Sequence, residues 1–168
     1  MLSLTANLSG KEYEQLISIC FKFADLFSLT KNGWITPKEE KESTDLMQRL
    51  LPYHIETRHT DRWFCYRVPD EQKIETYLFR ATPESQKILL TSYNCMFNDG
   101  VIWRVPEDLC FFKEGKLVLG SVSHENICYV YDEELGKKLQ GCGKWEDIPE
   151  EDRQTPNQFP RSQPIPLP

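Results

Sequence analysis

The sequence lacks a long apolar run and lacks a surplus of basic residues, and each absence excludes a class of protein. No apolar stretch approaches the roughly 18 residues that a helix needs to span a bilayer. The 26 acidic residues outnumber the 20 lysines and arginines, which leaves a net charge of −6. Nucleic acids and anionic membranes attract basic surfaces, so we expect neither of them among the partners.

The first residues also lack the pattern of a secretory signal. The segment MLSLTANLSGKEYE has neither a basic start nor an apolar core. The six cysteines form no C-x-x-C pair, and Cys20 and Cys65 stand inside apolar patterns, where cysteine behaves as a small hydrophobe. We therefore expect a cytoplasmic protein with reduced thiols and without a cofactor, with three disulfides as the less favoured alternative.

What the sequence does contain is enough apolar material for a packed core. Hydrophobic residues make up 39% of the chain and aromatic residues 12%. Helical spacing of apolar residues predicts a first helix over 10–26, with a capping box of Ser9 and Glu12. Threonine–proline pairs at Thr36 and Thr82 predict the starts of two more helices, and 132–139 predicts a short fourth one.

Alternating or β-branched segments between these helices predict strands, among them 53–60 and a hairpin around Lys113-Glu114-Gly115. The overall prediction is a single α+β domain over 1–149, with N-terminal helices packed on a mostly antiparallel sheet. From Glu150 onward the chain holds five prolines and little that could pack, which predicts a disordered proline-rich tail over 150–168.

The stretch from Arg62 to Thr82 predicts a central hairpin of two aromatic-rich strands. Its aromatic residues Trp63, Phe64 and Tyr66 also resemble a base-stacking platform of an RNA-binding sheet. No glycine-rich RNP pattern accompanies them and the chain is acidic, so burial in the core is the preferred interpretation.

One short segment brings together the residue types of nucleophilic catalysis. Ser123 and His124 supply a hydroxyl and an imidazole, and Cys128 follows four residues later. Neighbours along a strand point to opposite faces, which makes a catalytic triad of adjacent residues unfavourable. A small enzyme with a site near Ser123, His124 and Cys128 is kept as the alternative function.

A second set of polar residues has a composition that could bind a metal. His54, Glu56, His59 and Asp61 lie close together in sequence, but strand alternation places the first two and the last two on opposite faces. We expect a solvated edge strand here and no metal site.

Negative charge is concentrated in one part of the chain. Residues 107–152 carry twelve acids and five lysines, whereas the rest of the chain carries fourteen acids and fifteen bases. Such a segment can form a binding face for a basic protein, or it can serve only to keep the chain soluble. The candidate partner-binding residues are its acids and nearby aromatic residues: Asp132, Glu133, Glu134, Glu146, Asp147, Trp103, Tyr129, Tyr131 and Trp145.

In size, in acidity and in the lack of a catalytic motif, the chain resembles the small acidic immunity proteins with which bacteria neutralise their own toxins. The likeness involves no motif, so it assigns no role to any residue. It implies a non-catalytic binding protein that inhibits a basic partner, such as a nuclease-type toxin domain.

Overall fold

The computed structural model describes residues 1–31, 37–64, 66–68, 74–97 and 106–153. Within them the chain forms four helices: α1 (Gly10–Phe23), α2 (Pro37–Leu50), α3 (Pro83–Ser92) and α4 (Glu133–Leu139). The same residues form ten strands: β1 (Leu2–Leu4), β2 (Leu26–Lys31), β3 (His54–Thr60), β4 (Arg62–Trp63), β5 (Tyr66–Arg67), β6 (Ile74–Arg80), β7 (Glu107–Lys113), β8 (Lys116–Val122), β9 (Ile127–Val130) and β10 (Trp145–Asp147). None of the described helices is both long and apolar enough to cross a membrane.

Eight of the strands form one sheet in the order β10-β1-β9-β8-β7-β2-β6-β3. Every strand pairing in the described part of the chain is antiparallel. The prediction of helices on a mostly antiparallel sheet is therefore confirmed. The first strand lies between the last two, so one edge of the sheet joins the two ends of the described chain.

The face of the sheet that carries the helices holds the larger hydrophobic core. Helix α1 buries Leu16, Ile17 and Cys20 completely, because these residues recur at helical spacing on the side that faces the sheet. The ring of Phe27 in β2 lies 5.1 Å from that of Phe79 in β6. Complete burial of a side chain of this size stabilises the fold by about 1.5–3 kcal/mol.

The opposite face of the sheet is covered by the short segments 61–64 and 66–68, which we call the arm. Trp63 and Phe64 of the arm are buried in a second hydrophobic core, together with Phe112 and Val122 of the sheet. The predicted core packing of Phe64 is thus confirmed, and Tyr66 packs partly buried against the same core. The predicted central hairpin is wrong, however: β4 pairs with β5 inside the arm, while β6 pairs with β2 and β3.

Other local predictions were mostly correct. Of the predicted segment 53–60, His54–Thr60 form β3 at the edge of the sheet, while Tyr53 ends a 3-10 turn. Gly115 takes the left-handed conformation in the β7–β8 hairpin, with φ at 75°. Thr82 caps α3 as expected, but Ser9 makes no side-chain cap to α1. The start of α2 at Thr36 and the tail over 154–168 lie outside the described residues, and 150–152 form a single 3-10 turn.

Candidate functional site

An acidic side chain is buried where β7 begins and β8 ends. The pairing of β7 with β2 contains a bulge, and Asp108 within it has a φ of 55°. The backbone N–H of Asp108 donates to Ser123 Oγ at 3.1 Å, and the N–H of Ser123 donates to Asp108 Oδ1 at 2.8 Å. This reciprocal pair fixes the Asp108 carboxylate at the end of the sheet.

The arm supplies a second donor to the same carboxylate. The hydroxyl of Tyr66 donates to Asp108 Oδ2 at 2.7 Å. Asp108 has no exposed surface, and burial, followed by the nearby charge of Glu107, raises the pKa of its carboxyl to about 7. Burial also raises the pKa of Tyr66, so this phenol remains a proton donor.

Glu107 and His124 form a pair beside Asp108. The Nδ1 atom of His124 lies 3.3 Å from Glu107 Oε2, and the hydrogen bond to Glu107 raises the pKa of the imidazole. The Glu107 side chain is 5% exposed and that of His124 is 29% exposed. His124 belongs to a one-turn helix, Ser123–Glu125, which ends at Asn126 in the left-handed conformation. The imidazole therefore closes the cluster on its solvent side.

We call Tyr66, Glu107, Asp108, Ser123 and His124 the carboxylate cluster. One ligand atom from each of Glu107, Asp108 and His124 lies within 4.8 Å of the other two. A cavity of about 20 Å³ lies next to the cluster, and Glu107, Asp108 and Ser123 contribute to its lining. Two acids and an imidazole at these distances can exchange protons or bind a cation.

The structure separates the residues proposed for nucleophilic catalysis. Cys128 is completely buried in the core on the helical side, and burial raises the pKa of its thiol well above the ordinary value. Ser123 is 6% exposed, and its hydroxyl accepts the N–H of Asp108. Of the three predicted residues, His124 alone has an exposed side chain, and it contacts Glu107.

A second candidate surface lies at the other edge of the sheet, around a groove of about 270 Å³. Asp132 and Glu133 line it from the start of α4 and Asp147 lines it from β10, and the bases Lys137 and Arg153 line it as well. Asp132 also caps α4, since its Oδ1 accepts the N–H of Leu135 at 2.9 Å. The structure thus brings three of the predicted partner-binding acids together. We call this groove the acidic groove.

The remaining predicted binding residues are distributed differently. Glu134 forms a 3.3 Å ion pair with Lys138, and strand register places Glu146 beside Ser3, on the opposite face from Asp147. Tyr129 packs partly buried against the second core. Tyr131 lines the acidic groove beside the three acids. Trp145 Nε1 donates to the carbonyl of Cys142 at 2.6 Å. Trp103 lies outside the described residues.

Sequence reasoning missed the carboxylate cluster. It treated Glu107 and Asp108 as surface acids, because acidic residues are almost never fully buried. The available signal was their position directly before the apolar run Leu109-Cys110-Phe111-Phe112, which predicts a buried strand on both faces. Comparison with protein-family models, curated proteins and solved structures gave no match for this chain.

Proposed function

We propose that the chain is a non-catalytic cytoplasmic protein that binds and neutralises a basic protein partner, as a bacterial immunity protein does for a nuclease-type toxin. The observation that carries this proposal is the acidic groove, where Asp132 and Glu133 at the start of α4 meet Asp147 of β10. Lys137 also lines the groove, so an arginine or lysine side chain of a partner would compete with the chain's own cations for these carboxylates. Arg153 of the chain itself lines the groove, with Nε donating to the carbonyl of Ile148 at 3.1 Å.

The charge around the groove supports a role in attracting the partner. Residues 132–152 carry eight acids and three lysines. All eight acids are at least partly exposed, whereas Glu107 and Asp108 are buried and add nothing to this surface. Exposed charges of one sign raise association rates because the attraction acts before contact.

Affinity at such a surface comes mainly from a few anchoring side chains, and aromatic residues are the most common anchors. Tyr131 borders the acidic groove, and Trp145 is the first residue of β10, the strand that carries Glu146 and Asp147. Both rings are already partly buried and held by the fold. They would therefore lose little conformational freedom when a partner binds.

The test begins with capture of a partner from the native host, or of the product of a neighbouring gene, on the immobilised chain. Association rates are then measured against salt for the wild type and for the triple variant Asp132→Asn, Glu133→Gln and Glu134→Gln. Asparagine at 132 preserves the cap of α4, because its side chain also accepts from a helical N–H. The matched control is Glu14→Gln, Asp45→Asn and Glu84→Gln, which removes the same charge from exposed positions of α1, α2 and α3.

We expect the triple variant to associate on the order of tenfold more slowly at low salt than the control variant does. The difference should shrink as the Debye length falls from about 30 Å at 0.01 M to about 10 Å at 0.1 M. An association rate that responds neither to salt nor to the triple substitution would mean that these acids only solubilise the chain.

The hydrogen bond between His124 and Glu107 favours a second candidate function, a small enzyme that uses acid–base chemistry. In this alternative the partner of His124 is Glu107 and not Cys128, because the Cys128 thiol is buried in the core. A panel of ester, phosphoester and glycoside substrates would separate the two functions. Turnover that disappears in His124→Gln but persists in the variant with Asp132, Glu133 and Glu134 neutralised would favour the enzyme.

A further inference from the structure

We infer that Glu107, Asp108 and His124 form a binding site for one divalent transition-metal ion, with Zn²⁺ as the best match. This site lies at the junction of β7 and the turn after β8, apart from the acidic groove. The inference does not depend on the proposed partner-binding function. It rests on the geometry, the chemistry and the surroundings of the three ligands.

The distances already approach those of a coordination sphere. Zinc holds nitrogen and oxygen ligands at about 2.0–2.2 Å, so two ligands in a tetrahedral arrangement lie about 3.4 Å apart. His124 Nδ1 and Glu107 Oε2 are separated by 3.3 Å, and the ligand atom of Asp108 lies within 4.8 Å of both. Small side-chain rotations would therefore gather the three ligand atoms around one ion.

The donor set suits a borderline metal better than a hard one. Imidazole nitrogen favours Zn²⁺, Fe²⁺ and Cu²⁺, whereas Mg²⁺ and Ca²⁺ prefer sites made only of oxygen. Two adjacent carboxylates with nearly complete burial make a strongly favourable environment for a cation. A divalent ion would compensate both charges at once.

The surroundings hold the ligands in place, and a water-sized cavity adjoins Glu107 and Asp108. The Ser123 N–H and the Tyr66 hydroxyl each donate to one oxygen of Asp108, which fixes the orientation of its carboxylate. The adjoining cavity of about 20 Å³ exceeds the roughly 10–15 Å³ that one water molecule needs. Three protein ligands and one water make up the coordination of many catalytic zinc sites.

A second histidine–carboxylate pair in the chain provides a matched control. His59 Nδ1 lies 3.8 Å from Glu75 Oε1, but these two side chains are 58% and 38% exposed. They line neither the cavity nor the carboxylate cluster. Substitution of His59 therefore removes an imidazole beside a carboxylate without touching the proposed site.

The experiment titrates chelator-treated full-length protein with Zn²⁺ by calorimetry and with Co²⁺ by visible absorption. The variants are His124→Gln, Glu107→Gln and the control His59→Gln, and thermal melts check that each variant folds. Asp108→Asn is not required, because loss of the carboxylate that binds Ser123 and Tyr66 can disturb the fold itself. Tyr66→Phe adds a test of a positioning residue.

We expect one Zn²⁺ per chain in the wild type and in His59→Gln, and at least tenfold weaker binding in His124→Gln and Glu107→Gln. Tyr66→Phe should weaken binding by about 10- to 100-fold, as loss of a group that orients a ligand generally does. Three results would each overturn the inference: no stoichiometric binding in the wild type, equal binding in wild type and His124→Gln, or a sulfur-to-cobalt charge-transfer band, which would place the ion on a cysteine.

Discussion

At the scale of single residues, the arm depends on a glycine in the strand beneath it. A Cβ atom added at Gly120 in β8 would lie 2.3 Å from the ring of Phe64, which is 2% exposed. No real contact is that short, so either the ring or the strand would have to move. Phe64 itself has a φ of 42°, a conformation that only tight packing stabilises in a bulky residue.

We predict that Gly120→Ala lowers the free energy of unfolding by about 1–3 kcal/mol, as overpacking of a well-filled core does. Urea unfolding followed by tryptophan fluorescence measures the loss and also reports on Trp63 in the arm. The control is Gly141→Ala, because a Cβ atom there meets nothing within 4 Å. Equal stability of the two variants would show that the arm can lift away from the sheet without loss.

The residue scale also shows why the carboxylate cluster was missed. Its five members come from three separate parts of the chain: the arm, the start of β7 and the turn after β8. Sequence patterns identified His124 as chemically interesting, but they paired it with Ser123 and Cys128 because these are its neighbours in sequence. The bulge that aligns Asp108 with Ser123 is a property of strand register, which local patterns do not specify.

At the scale of elements, two helix starts that look alike in sequence differ in structure. Thr82 caps α3 with its side chain, accepting the N–H of Ser85 at 3.2 Å, while Ser85 Oγ accepts the N–H of Thr82 at 2.9 Å. At α1 the Ser9 side chain makes no cap. Ser9 instead pairs with Cys95 in an isolated bridge, and the N–H of Gly10 donates to the carbonyl of Asn94.

We predict that Thr82→Ala reduces the free energy of unfolding by about 0.5–2 kcal/mol, which is the usual effect of losing a side-chain cap. Ser9→Ala should change it by less than about 0.5 kcal/mol, since no cap is lost there. Chemical denaturation of both variants beside the wild type measures the difference. A loss at Ser9 equal to that at Thr82 would contradict the assignment of the caps.

Elements defined by local signals were predicted well, and elements defined by distant partners were not. The helices α3 and α4 and the β7–β8 hairpin follow from capping residues, turn residues and spacing. Strand β10 went unpredicted, because Trp145, Glu146 and Asp147 contain two acids and form a strand only through pairing with β1. The sequence also placed the arm in a hairpin with β6, because its aromatic residues fit a strand paired with β6 as well as a segment packed on the face of the sheet.

At the scale of the whole molecule, we predict that the proline-rich end of the chain contributes little to stability. Deletion of residues 154–168 should leave the melting temperature unchanged within about 2 °C, because these residues offer few side chains for burial. Differential scanning calorimetry measures the effect. Deletion of 145–168 is the contrasting variant: it also removes β10 and should lower the melting temperature by several degrees.

The position of β1 between β9 and β10 determines the order in which the molecule can be completed during synthesis. Residues 2–4 leave the ribosome before every other strand of the sheet, yet both of their neighbours in the sheet lie within 127–147. At about 5–20 residues per second, β1 waits roughly 6 to 25 s before either neighbour has been made. Helices α1 to α3 and the central strands can assemble in that interval. The edge that carries the acidic groove is therefore the last part of this sheet to close.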